Sequence, residues 1–278
     1  MPISRGNITN YVLANGRIEF NQFPIENGVE DKTKAKGFRY LGASTEFNLT
    51  QENETLEHKS SECGFNTTDE EIIISNSMTG NLTLDNINTE NLALFFAGEI
   101  SKVAQNQQAA QTEVLQVFPR LGYRLGVTAA NPNGVFSATV TKVETFASQQ
   151  AAQTGNLPTA TLVADTDYEV AHEAGYLMMG ETDKIPEEGI WVKVTYSLAQ
   201  ATREVIISKG QSIVGALMFR GCNAKGENRT YYMPRVRLSP SGDFALKGGE
   251  EWSTMGFDVT VLKDNELPML YINGQPRV

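Results

Sequence analysis

Thiols and imidazoles are scarce here, two cysteines and two histidines in 278 residues. Cys63 and Cys222 stand far apart in polar surroundings ("SECGF", "RGCNAK"), without CxxC spacing, and the Cys/His total is too small for a zinc cluster. They read as two separate thiols of a reducing compartment. His58 and His172 are equally isolated and read as surface residues. No G-x-S-x-G elbow occurs, since "GQSIVG" around Ser212 has the wrong spacing, and no glycine-rich phosphate cradle is present. The adjacent pairs Glu70/Glu71, Glu187/Glu188 and Glu250/Glu251 would point to opposite faces of a strand, which suits neither a general acid nor its partner. "DTDYEVAHEAGY" from Asp165 opens like a calcium loop but has no glycine at its sixth position and no acid at its twelfth. The expectation is a non-enzyme without cofactor or metal.

Long apolar runs are missing too. "MPISRGNITNYVLANGRIEF" lacks the apolar centre of a signal peptide, and no segment approaches the ~20 apolar residues of a membrane helix. The chain is expected to work where it is made, or to leave without the usual secretory signal, and to stay away from membranes. Positive charge is in deficit, 23 Lys and Arg against 33 Asp and Glu, which argues against a nucleic-acid binder. The charge is also segregated. Glu46 to Glu71 holds eight acids and one Lys, whereas Met218 to Arg237 holds five bases and only Glu227. Either these are two solvated surfaces, or they meet head to tail between copies, with opposite charge fixing the register.

What the chain does have is strand pattern. "RYLGASTEFNLT" alternates Leu41, Ala43, Thr45, Phe47 and Leu49 with polar residues, the signature of a sheet with one wet face. After Gln51 the alternation fades. The long acidic hairpin loop, residues 51–71, thus reads as an arm without a buried face, and such a hairpin is marginal alone. Strands are expected at residues 37–51 and 72–86. "GRIEFNQF" is a further strand, in an N-terminal arm and loop. "NINTENLALFFAGE" reads as a helix over 89–98, with Asn88 as cap, Gly98 closing it left-handed, and Ile87 stapled to Leu92. Leu92, Phe95 and Phe96 would be its stripe across a sheet.

Composition shifts to Ala, Gln and Thr near Gln105. Residues 105–208 read as an inserted immunoglobulin-like β module, with strands in "VFSATVTKVETF", "ATLVAD", "DYEVAHEAGYLMM" and "GIWVKVTYSLA". Residues 1–104 and 209–278 would make the main fold. In its second part, Met255, Phe257, Val259 and Val261 face one way and Gly256, Asp258 and Thr260 the other.

Three segments, Gly37–Ile74, "MTGNLTLDNINTENLALFFAGE" and Gly215–Asp264 with its "NRTYYMPRVRLSPSGDFALKG", together resemble the tail tube (major tail) proteins of tailed bacteriophages. The resemblance covers the main fold and not the insert. It implies a mainly β, β-sandwich or barrel tube fold with one α-helix. Six copies would form a ring, and rings would stack around a channel through which DNA passes only transiently. Partners would be the chain itself, a tape-measure protein and the tail tip and terminator proteins. The place would be a virion tail assembled in the bacterial cytoplasm. The arm, with Glu52, Glu54, Glu57, His58, Glu62, Asp69 and Glu70, would contact the neighbouring ring, and Arg220, Lys225, Arg229, Arg235 and Arg237 would be the complementary basic surface. Glu46 and Asp258 are candidates for the channel wall, where carboxylates would repel phosphate. A bulky outer module would obstruct a contractile sheath, so a long non-contractile tail is expected. Alternatives are the tube of a type VI-like or contractile machine, a glycoside hydrolase with a carboxylate pair across a cleft, or a β-sandwich adhesin or carbohydrate-binding protein using aromatics such as Trp191 and Tyr196.

Overall fold

The computed structural model describes residues 11–60, 64, 66–248, 250–265 and 267–275. It is mainly β, and the chain divides into two compact units, Met1–Ile100 with Ile206–Val278, and Ser101–Val205. The first stretch holds strands β1 (Gly16–Gln22), β2 (Ile25–Glu26), β3 (Val29–Glu30), β4 (Arg39–Tyr40), β5 (Ser44–Ser60) and β6 (Thr67–Leu84), then helix α1 (Thr89–Phe95) and β7 (Gly98–Gln105). The middle holds β8 (Gln108–Val117), β9 (Gly122–Arg124), β10 (Ala138–Phe146), helix α2 (Gln149–Thr154), β11 (Ala160–Leu162), β12 (Tyr168–Ala171), β13 (Tyr176–Met179) and β14 (Ile190–Leu198). The last stretch holds β15 (Ala201–Ser208), β16 (Ile213–Gly221), β17 (Asn228–Ser241), β18 (Met255–Val261) and β19 (Tyr271–Gln275). β7 and β15 pair with each other where the chain passes between the two units.

The main unit is built on one large sheet in the order β4-β1-β16-β17-β18-β6-β5, with β19 on β17, while β2 and β3 form a small sheet of their own. β4 and β5 lie at opposite ends of that order, yet only three residues, Leu41–Ala43, separate them. At ~3.8 Å per step that link spans at most about 15 Å, so the sheet curls until its edges approach. The rings of Phe47 on β5 and Phe219 on β16, 6.0 Å apart, meet across the resulting interior. Alternate residues fill this core: Ile18 and Phe20, Leu217, Met233, Val236 and Leu238, Met78, Leu82 and Leu84, and all four of Met255, Phe257, Val259 and Val261. The alternation read for β18 is therefore the observed one.

Helix α1 crosses the core face. Asn88 caps it by accepting the Asn91 N–H at 2.8 Å, as expected, but it ends at Phe95 instead of residue 98. The left-handed residue is Ala97, φ 46°, and not Gly98. Gly98 already belongs to β7, and a Cβ there would come within 2.8 Å of Ile206. The buried side chains are Asn91, Ala93, Leu94 and Phe95. Leu92 packs on the core only in part, while Phe96 and Ile87 are exposed. A seven-residue helix has two turns, and its far end simply leaves the sheet.

The arm is also different from the loop expected over 51–71. Its backbone stays paired, β5 reaching Ser60 and β6 starting at Thr67. On the sheet's other face, residues 23–38 form a strap with Phe23 set against Val214 and Ala216.

The second unit has two sheets, β11-β10-β14-β8 and β12-β13-β9, around one core that includes Val143, Val192, Val194, Leu125, Leu177 and Met179. The seven strands match the immunoglobulin constant-type count, but the third and seventh lie side by side without the sixth between them, unlike that arrangement. "DYEVAHEAGYLMM" folds as a hairpin, β12 and β13, around a turn at His172–Ala174. A second helix, α2, was not expected. Ser148 Oγ accepts the Ala151 N–H at 3.2 Å, and Gly155 closes the helix at φ 76°.

Candidate functional site

The arm is a two-stranded ribbon beyond the body of the sheet. β18 stops pairing with β6 at Met78, and beyond it β6 pairs only with β5 among the described residues. Every side chain from Gln51 to Lys59 and from Asn66 to Ser77 is exposed. Glu52 pairs with Ser77 and Glu54 with Ser75, whereas Glu57 faces Glu71 directly and His58 faces Glu70. Like charges opposite one another destabilise a ladder. Only local contacts offset this: His58 Nδ1 meets Asp69 Oδ1 at 2.6 Å, and Lys59 Nζ lies 3.8 Å from Glu57. Glu62 lies outside the described residues, as does Cys63. The sequence puts Ile72 and Ile74 in phase with the buried Leu82 and Leu84, but a bulge shifts the register between Glu54 and Thr55, and Leu56, Ile72, Ile73 and Ile74 are each more than half exposed on this ribbon.

The expected basic surface is mostly engaged within its own unit. Arg220 Nη2 lies 2.8 Å from Glu19 Oε1, and Arg229 Nη2 3.0 Å from Glu227 Oε2. Arg235 donates twice to Glu30, at 2.9 and 2.7 Å. That pairing holds the Glu30 carboxyl below its ordinary range and raises Arg235. Lys225 sits over the Tyr11 ring. Arg237, exposed on β17 like Arg229, acts on the same Glu30 carboxyl through its charge. Glu19 and Glu30, placed against Arg220 and Arg235 by the fold, are partners that a linear charge count does not show.

Glu46 and Asp258 do share a surface. Asp258 pairs with Asn81, and Asn81 with Asn48, whose side chain donates to Glu46. They lie on the face opposite the core, together with Thr50, Thr79, Thr83 and Thr260. A shallow concavity of about 550 Å³ runs along Asn48, Thr50, Thr79, Asn81, Asp258 and Thr260. Of the strand residues on this part of the face, Arg237, which pairs with Thr260, supplies the positive charge. Short hydroxyls and amides with two carboxylates make a hydrated, weakly anionic wall.

In the second unit, Asp167, His172 and Tyr196 are engaged in structure. Asp167 is buried; burial raises its pKa, but Lys184 at 2.6 Å, the Val163 N–H at 2.8 Å and Thr182 at 2.9 Å outweigh this and hold it below the ordinary carboxylate value. Its oxygens thus serve protein donors. His172 Nδ1 meets the Ala138 carbonyl at 2.9 Å. Tyr196, read as an exposed platform for sugar, is 5% exposed. Burial, then the Glu113 charge, pushes its phenol up to about 12. An adhesin reading loses that platform. Among the described residues no His/Cys/Asp/Glu group is arranged to hold a metal ion, and no helix is long and apolar enough to cross a membrane.

The family described as "Protein of unknown function UCP028589" matches residues 9–118 and 135–270. No curated protein matches the chain. The matched stretches include the arm, α1, the open face and most of the second unit, so that unit is part of the family's pattern rather than an addition peculiar to this sequence. Matched over most of its length, the chain belongs to the family of Protein of unknown function UCP028589.

Proposed function

We propose that this protein is the structural subunit of a bacteriophage tail tube, forming stacked hexameric rings around a channel that DNA crosses during ejection. The observation that carries the reading is the ribbon of residues 51–60 and 67–77: paired along its backbone, exposed at almost every side chain, and carrying Glu57 opposite Glu71. A ribbon with no buried face is marginal in water, and a neighbouring subunit supplies the missing face. The open wall with Glu46, Asp258 and their Thr and Asn neighbours supports the channel assignment, because phosphate finds few cationic wells there. The second unit, in this reading, stands on the outside of a long non-contractile tail. Tape-measure, tail-tip and terminator proteins join the assembled tube as partners.

Negative-stain microscopy of the purified chain over a range of concentrations tests the reading. Hollow rods or six-fold rings are expected; a chain that stays monomeric throughout overturns it. Removing residues 101–205 then reports on the second unit. Intact tubes mean that it decorates the wall, and short or unstable ones that it braces adjacent rings.

A further inference from the structure

The arm's carboxylates stand out in the sequence, but its aliphatic residues are the feature that its own fold leaves unexplained. Leu56 pairs with Ile72 and Thr55 with Ile73, and a bulge sets Ile74 beside Ile73. Leu56 and Ile72 share one face of the ribbon and Ile73 takes the other, so the four aliphatic residues ring it partway along, with Glu54, Glu57, Glu70 and Glu71 on either side. A cluster of large exposed apolar groups on a soluble surface marks a contact.

The register locates a second apolar patch at the opposite end of the same sheet. Gln51 faces Met78 and Met78 faces Val261, so the arm leaves at the Val261 end. Ser44 faces Leu84 and Leu84 faces Met255, so the connection between β17 and β18 lies at the other end. That connection carries Leu246, 89% exposed, and Trp252, 93% exposed. Trp252 and Ile87, with Thr45, Asp85, Ser253 and Thr254, line a cavity of about 520 Å³. Tryptophan is the residue type most enriched among interface anchors.

We propose that the aliphatic belt of one copy seats against the Trp252 cavity of the next copy. This rests on the tail-tube reading and adds the residues that carry the ring-to-ring joint. A second copy is the occupant because both patches belong to one sheet and lie at its two ends. Displacement along the strands brings one patch to the other, and the contact repeats without closing. The ribbon continues from Glu52 to Ser60 beyond the body, roughly 30 Å at about 3.3 Å per residue, long enough to reach a neighbour. Charge gives the joint a signature. Carboxylates flank the belt, and Asp85, Glu250 and Glu251 lie at or beside the cavity, with Lys247 nearby in sequence. The two sides repel, so salt strengthens the joint by screening. A joint between the acidic arm and basic residues would weaken instead.

The test compares the full chain with L56S/I72S and W252S, by sedimentation and negative stain at low and high salt. All substituted positions are exposed, so each variant is expected to melt with the wild type. Wild-type rods are expected to grow with added salt, and each variant to need about tenfold or more protein to stack. Mixing the two variants is expected to give stacks of two that grow no further, since one intact arm then meets one intact cavity. Variants that stack like wild type, rods that dissolve in salt, or self-stacking of W252S through its arms would each overturn the joint while leaving the tube reading standing. A wild-type chain that never associates overturns both. If L56S/I72S fails to fold, W252S decides, because its indole lies outside the core.

Discussion

Arg39 donates from Nη1 to Oδ1 of Asn91 at 2.8 Å, and this contact fastens the one helix of the main unit to the edge of its sheet. The same amide donates from Nδ2 to the carbonyls of Leu41, at 2.6 Å, and Asn86, at 2.8 Å. Asn91 is fully buried. A helix of seven residues is too short to persist on its own, so a single side chain joins β4, the turn after β6 and α1. Replacing Asn91 by Leu keeps the volume but leaves a guanidinium and two carbonyls without this partner. The expected cost is about 2–4 kcal/mol. Denaturant unfolding checks it, as an earlier transition of the main unit with that of the second unit unmoved.

Gly80 lies at the foot of the arm, where a Cβ would meet the Asn48 carbonyl oxygen at 2.1 Å. Backbone cannot yield there without parting β5 from β6, which pair at Leu49 and Gly80. Gly80→Ala is expected to destabilise by about 1–3 kcal/mol and to speed amide hydrogen exchange at residues 47–51, with β16 unaffected. Unchanged exchange at 47–51 would show that the ladder absorbs a methyl at this point.

Where a side chain faces a core, the sequence was readable. Met255, Phe257, Val259 and Val261 point inward because period-two spacing and burial have one solution together. The arm shows the converse. With neither face buried, its alternation carries no information, and a ladder reaching Ser60 looks like a loop. Helix α2 was written in Ser148 and Gly155, but six residues between turn signals give almost no periodicity. Ala97 in the left-handed region answers to the contact of Gly98 with Ile206, a tertiary demand that outranks the local preference for glycine. The Glu46 and Asp258 surface was half legible. Each strand fixes its own two faces, whereas the shared face needs the pairing through Asn81 and Asn48. In the basic segment, the partners of Arg220 and Arg235 could not be read from the sequence, because Glu19 and Glu30 lie some 200 residues away.

The strap of residues 23–38 is latched electrostatically. Glu30 accepts two hydrogen bonds from Arg235, and Lys32 pairs with Asp264. The Arg235 hydrogen bond lowers the Glu30 pKa from its ordinary 4.5, burial opposes this, and the charges of Arg235 and Lys32 add to the lowering. A depressed carboxyl stabilises the folded state fully above pH 4.5 and loses that contribution as the pH falls through the depressed value. The strap amides are therefore expected to lose protection, measured against the intrinsic exchange rate at each pH, in acid before the sheet amides do. Glu30→Gln should produce the same loss of protection at neutral pH, at a cost of about 1 kcal/mol and with a flatter acid dependence. A strap that opens only together with the sheet would show that Phe23 against Val214 and Ala216 dominates over the ion pairs.

Asp258 offers the most direct test of the channel wall. It is exposed, and its direct cross-strand neighbours Asn81 and Ser239 are uncharged, with Arg237 the cation diagonally beside it on the same face. Asp258→Lys should leave folding and rod formation unchanged. If the face lines the channel, each ring gains one cation per subunit pointing inward, and every phosphate it neutralises releases a counterion. Short duplex DNA incubated with rods open at both ends is then expected to be retained by the variant and not by the wild type, with retention falling steeply as salt rises. Glu46→Lys, one residue row away on the same face, should act in the same direction, and the pair together more strongly than either. A lysine on the outer wall would also bind DNA, so the decisive measurement is accessibility: retained DNA should resist nuclease when it lies inside the rod. DNA that binds the variant yet is digested at the wild-type rate would place Asp258 on the outside, and the carboxylates of this face would then have nothing to do with DNA passage.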